Sequence, residues 1–89
     1  MRSQIKIIVD ILDTLEQSEN GVKITGLVRK VNVPYVRLIE LLDELLKKNF
    51  IELTEEAGNN YKITKKGEIL LSEYRRFSIF AQNLGLDLD

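Results

Sequence analysis

The 89-residue chain has no cysteine, no histidine and a single proline. Each scarcity removes a class of chemistry. Without cysteine there is no disulfide framework, no thiolate metal site and no thiol nucleophile. Without histidine there is no Ser-His-Asp triad and no imidazole ligand. Carboxylates remain, but they are scattered over what read as helix surfaces. The sequence also lacks a Gly-rich phosphate loop, a metal-ligand cluster and a nucleophile–base pair. No enzymatic activity, cofactor or metal is therefore expected. No apolar run approaches the roughly 20 residues that span a bilayer. The N-terminus has no basic flank followed by a long apolar block. The expected location is cytoplasmic, with no membrane partner.

What is present is globular: 44% of residues are hydrophobic and 30% are charged. The length predicts one small domain. Chains of this size bury only about two-thirds of their unfolded surface, so a second copy would add useful buried area. The net charge is −1. That runs against a nucleic-acid reading, because neutralising phosphates supplies most non-specific affinity.

The chain is organised around residues 32–51. Pro34 is pre-set for a first helical turn. Leu38, Leu42 and Leu45 then recur at four and three residues, so they share one face. Before this helix, Ser3 is a fair N-cap for a helix running to about Gln17. Ile5, Ile8, Leu12 and Leu15 form its stripe, and Ile7 and Ile11 widen it. So wide a sector fits either a deeply buried core helix or one that also meets another subunit. Residues 18–21 form a turn and residues 22–24 a very short strand. Thr25 is expected to cap a short helix from Gly26 to about Val31, with Leu27, Val28 and Val31 inward. Asn32-Val33 is the corner of a helix-turn-helix.

After Asn49 the period falls from 3.6 to 2. Ile51 and Leu53 alternate with Glu52 and Thr54, and Tyr61 and Ile63 flank Lys62. The intervening turn, residues 57–60, carries Gly and Asn, which tolerate positive φ. A hairpin directly after a helix-turn-helix is a wing. Thr64 caps a last helix from Lys65 to about Leu84, where Gly85 stops it. Leu70, Tyr74, Phe77, Ala81 and Leu84 are spaced four, three, four and three, an a/d seam, and Phe80 adds apolar surface beside it. Two and a half heptads cannot sustain a free coiled coil. A helix paired with its copy and braced by the first helix could hold, and an intramolecular core is the alternative. The expected fold class is α+β, mainly α: a three-helix core, a two-stranded wing and a long C-terminal helix. Residues 1–64 would be the winged helix domain, and residues 65–89 the dimerisation helix and tail.

The chain resembles the small archaeal winged-helix DNA-binding proteins that dimerise through a long C-terminal helix, a group of chromatin-type proteins and predicted transcription regulators. Three stretches carry the resemblance. They are Thr25-Gly26-Leu27-Val28 through Asn32-Val33-Pro34-Tyr35; Leu42, Leu45 and Phe50-Ile51; and Tyr61-Lys62-Ile63-Thr64-Lys65-Lys66-Gly67 with Leu70-Leu71. Two departures stand out. Gly26 falls where members of the group often carry a basic residue, and Pro34 replaces the usual Ser cap. The resemblance implies double-stranded DNA and a second copy of the chain as partners.

With the leucines inward, Tyr35, Val36, Arg37, Ile39, Glu40 and Asp43 lie outward near the start of the central helix. Tyr35 and Arg37 are expected to project from one outer ridge, Tyr35 to phosphate or sugar and Arg37 bidentate to guanine. Val36 and Ile39 can touch thymine methyl groups. Residues 32–56 hold six acids against three bases, a formal charge of −3. Supporting phosphate contacts are expected from Lys23, Arg29 and Lys30 before the helix, and from Lys62, Lys65 and Lys66 at the wing exit. Asn59 and Asn60 are the wing-turn candidates. The expected dimer contacts are Leu70, Tyr74, Phe77, Phe80, Ala81 and Leu84. For Arg75 and Arg76, a solvated or helix-end role is expected. The leading reading is a homodimeric transcription regulator or chromatin-associated DNA-binding protein. A second reading makes the domain a protein-interaction module without DNA binding, with Val36, Ile39 and Leu41 as an exposed apolar contact.

Overall fold

Helix α1 (Gln4–Glu16) opens with Ser3, whose hydroxyl accepts the Lys6 amide at 3.2 Å. The computed structural model of the chain describes residues 3–55 and 58–88. Ile7, Val9, Ile11, Leu12 and Leu15 of α1 are all buried. The helix packs against α2 (Ile24–Val31), α4 (Lys65–Asn83) and strand β2 (Asn60–Ile63) of its own chain. Its broad apolar sector is thus largely used inside one molecule, although Ile5 stays exposed.

Helix α2 starts two residues earlier than the sequence suggests. Lys23, not Thr25, is its N-cap, and the Gly26 and Leu27 amides bond to the Lys23 carbonyl. The preceding short strand reduces to a single bridge in which Val22 and Tyr61 exchange both backbone bonds at 2.9 Å. A side chain at Gly26 would press on Val22, with its Cβ 2.9 Å from Val22 Cγ1. That contact accounts for a small residue there. Asn32 closes α2 in the left-handed region at φ 57, which Asn tolerates better than most residues. Val33 and Pro34 then lead into α3 (Tyr35–Lys47).

Leu38, Leu41, Leu42 and Leu45 of α3 are buried. Leu41 is therefore core, not part of an exposed patch. The end of α3 is a Schellman turn built on Asn49 at φ 65: the Phe50 amide reaches the Leu45 carbonyl and the Asn49 amide the Leu46 carbonyl. The wing continues the chain as strand β1 (Ile51–Thr54) paired antiparallel to β2, with Ile51 opposite Ile63 and Leu53 opposite Tyr61. Of the expected turn, Ala57 lies outside the described residues, and Asn60 belongs to β2.

Thr64 joins α3 to α4. Its hydroxyl donates to the Asn49 carbonyl at 2.6 Å and accepts the Gly67 amide at 3.1 Å. Lys66 reinforces the joint, donating to the Lys48 carbonyl at 2.7 Å with its ammonium 4.7 Å from the centre of the Phe50 ring. A cation at a helix C-terminus and over an aromatic face is favourable on both counts. Lys66 thus has a structural role. Leu71 is fully buried in the same core as α1 to α3, so α4 is part of the fold from its first turns. Gly85 at φ +80 ends α4 in a second Schellman turn, the Leu86 amide bonding to the Ala81 carbonyl. Among the described residues, no helix is long and apolar enough to cross a membrane.

Candidate nucleic-acid interface

The exposed side of α3 is graded. Successive helical residues are about 100° apart, so Tyr35 and Arg37 sit about 200° apart and occupy opposite flanks. The expected common ridge does not form. Arg37 turns to the start of α1, donating to Gln4 Oε1 at 3.0 Å and standing 3.9 Å from Glu40. Tyr35, on the other flank, is 57% exposed. Burial pushes the Tyr61 phenol above its usual range, and the neighbouring Tyr35 phenol adds to the effect. Val36 crowns the helix between these flanks at 69% exposure, and Ile39 lies beside it at 37%.

The remaining charges of α3 are largely paired along the helix. Lys47 meets Asp43 at 3.1 Å and Lys48 meets Glu44 at 2.8 Å. The Lys48 hydrogen bond holds the Glu44 carboxyl below its usual range, with the Lys48 charge second. Such i,i+4 pairs contribute only a few tenths of a kcal/mol. Their effect is to leave this face close to neutral and poor in uncommitted donors.

The cations expected to meet phosphate sit in different local surroundings. Lys23 is exposed and reaches the wing turn; a Cβ on Gly58 would lie 3.6 Å from its Nζ. Arg29 and Lys30 are exposed on the last turn of α2 and border a cleft of about 410 Å³ that also touches Thr14 and Gln17 of α1. Lys62 is half-buried opposite Glu52, its stem close to Gly21. Lys65 is exposed, but it shares a cleft with Glu16, Glu68 and Glu73. Asn59 is exposed in the turn.

Asn60 is a correction. It is only 8% exposed, and its amide donates to the Asn20 carbonyl at 3.1 Å. It ties the wing to the loop before α2 and cannot reach a nucleic acid from there. Arg75 is another. It bridges α4 to α1 by hydrogen bonds to Asp13 and to Glu16, the latter at 3.0 Å. These bonds, led by the one to Glu16, raise its pKa further. Arg76 stays at the surface beside Glu73.

The α4 seam also changes composition. Ala81 is buried within the single chain, and Leu70 and Tyr74 are partly buried against its core. Phe77, Phe80 and Leu84 are 56–61% exposed, and the two phenylalanine rings lie 6.5 Å apart. Residues 73, 77, 80 and 84 are spaced four, three and four, so the outward stripe runs through Glu73 and Phe80 where Tyr74 and Ala81 were expected. The signal was in the sequence, since two heptad frames fit this helix and only packing selects between them.

Comparison with solved structures finds Sso10a-2, a DNA-binding protein from Sulfolobus solfataricus, superposing with a TM-score of 0.74 at 27% sequence identity. The match covers 93% of this chain and 85% of that one. Comparison with curated proteins gives no match. The winged helix-turn-helix family matches residues 1–82, nearly the whole chain. With its helical corner at Asn32, its hairpin after α3 and this match in sequence, the chain belongs to the winged helix-turn-helix family.

Proposed function

We propose that this protein binds double-stranded DNA as a homodimer and acts as a transcription regulator or chromatin-associated protein in the cytoplasm. The carrying observation is the start of α3, where Tyr35, Val36 and Ile39 are all exposed at the surface. The description of Sso10a-2 as DNA-binding supports the reading. Lys23 and Lys30 would approach phosphates, and the two copies would address half-sites about one helical turn apart. Because cations are few on this face, affinity depends on contact with the bases more than on charge.

Fluorescence anisotropy on duplex DNA across a salt series tests this. The protein is expected to bind with a shallow salt dependence, to which each phosphate contact adds about 0.9 to the logarithmic slope. Lys23→Ala and Lys30→Ala should each lower the slope by about one contact, whereas Lys65→Ala, among acids, should leave it nearly unchanged. Absence of duplex binding at low salt would refute the reading. It would favour a protein-interaction module instead, which the formal charge of −3 over residues 32–56 also suits.

A further inference from the structure

We infer that the shoulder formed by Tyr35, Val36 and Ile39 reads 5-methyl groups in the major groove, so that thymine-rich duplex is the preferred partner. The inference rests on the proposed DNA binding and specifies what that surface recognises.

Three observations carry it. First, the one arginine on α3 is committed away from the crest, to Gln4 Oε1 at 3.0 Å and toward Glu40. Reaching a guanine edge would cost it the Gln4 bond. Second, Lys47 and Lys48 are held by Asp43 and Glu44 and lie at the C-terminal end of α3, far from the helix start. Third, the uncommitted surface at the helix start is apolar, with Val36 more exposed than any other large hydrophobic among the described residues. Thymine alone among the four ordinary bases presents a methyl group in the major groove, and that group is read by apolar contact without a donor. The acids on the crest, Glu40 and Asp43, discourage close approach to phosphate but do not hinder contact at the groove floor.

Burying one methyl group is worth about a fourfold change in affinity. The test uses the full chain and an alternating A·T duplex of about 24 base pairs, long enough for two half-sites one turn apart. It is compared with the same duplex carrying deoxyuridine for thymidine, which removes only the methyls. The uridine duplex is expected to bind at least about fourfold more weakly. Val36→Ala, at a site too exposed to threaten the fold, should weaken binding to the thymidine duplex and narrow the difference. An alternating G·C duplex should bind more tightly with 5-methylcytosine than with cytosine, because that methyl occupies the equivalent groove position. Equal affinity for the thymidine and uridine duplexes would overturn the inference, as would an undiminished difference in Val36→Ala. Methyl-blind binding leaves the DNA-binding reading standing, whereas no binding to any duplex overturns both.

Discussion

Gly67 shows most directly how one residue holds this fold together. It is buried in the first turn of α4, where a Cβ would lie 2.2 Å from the Phe50 carbonyl oxygen and 2.8 Å from Ile63 Cγ1. The obstacle on one side is backbone, which cannot rotate away. Gly67→Ala must push α4 off the end of α3, and overpacking of this kind costs about 3 kcal/mol. Denaturant unfolding should show a lower midpoint with an unchanged slope. A midpoint equal to wild type would mean that α4 has room to spare beside Phe50. The Thr-Lys-Lys-Gly run was legible as a helix start, but its reason was not. The close approach joins positions separated by a hairpin.

Among elements, the joint between α3 and α4 matters more than either helix alone. One hydroxyl, that of Thr64, serves as N-cap to α4 and donor to the turn that ends α3. Thr64→Ala removes both bonds and is expected to cost about 1–2 kcal/mol. Thr64→Ser should recover most of that loss, a comparison made by thermal or denaturant unfolding. If Ser and Ala prove equally damaging, the threonine methyl and not the hydroxyl is the important group. α1 shows the opposite case, in which the sequence left two partners open. Its wide apolar sector is taken up by α2, β2 and α4 of the same chain, with Arg75 clamping Asp13 and Glu16 at its far end.

At the scale of the whole molecule, the uncovered side of α4 is the surface most in need of a partner. Phe77, Phe80 and Leu84 are more than half exposed on one stripe, with Ile69 at its edge. Contiguous apolar surface of this kind marks an interaction site. A second copy covering it would supply the homodimer on which the proposed binding mode depends. Sedimentation should therefore give a dimer for the wild type and a monomer for the double variant Phe77→Glu, Phe80→Glu. The helical circular dichroism should be unchanged, because neither ring belongs to the described core. DNA affinity should fall with the loss of the second half-site. A wild type that sediments as a monomer would remove the seam from the proposal.

Apart from the Lys23 cap of α2 and the strand start at Asn60, the sequence alone determined the main elements and their ends: the helix periods, the Ser3 and Thr64 caps, the stop at Gly85 and the change to a period of two after Asn49. All of these depend on residues within a turn or two of one another. Even the opposition of Tyr35 and Arg37 follows from helical arithmetic. Tertiary structure decided which way each face points. It buried Asn60 against the Asn20 carbonyl, drew Arg37 to Gln4, and chose Phe80 over Ala81 for the outer stripe of α4. The rotation of a helix about its own axis is set by partners far away in the chain, and local pattern carries no record of them.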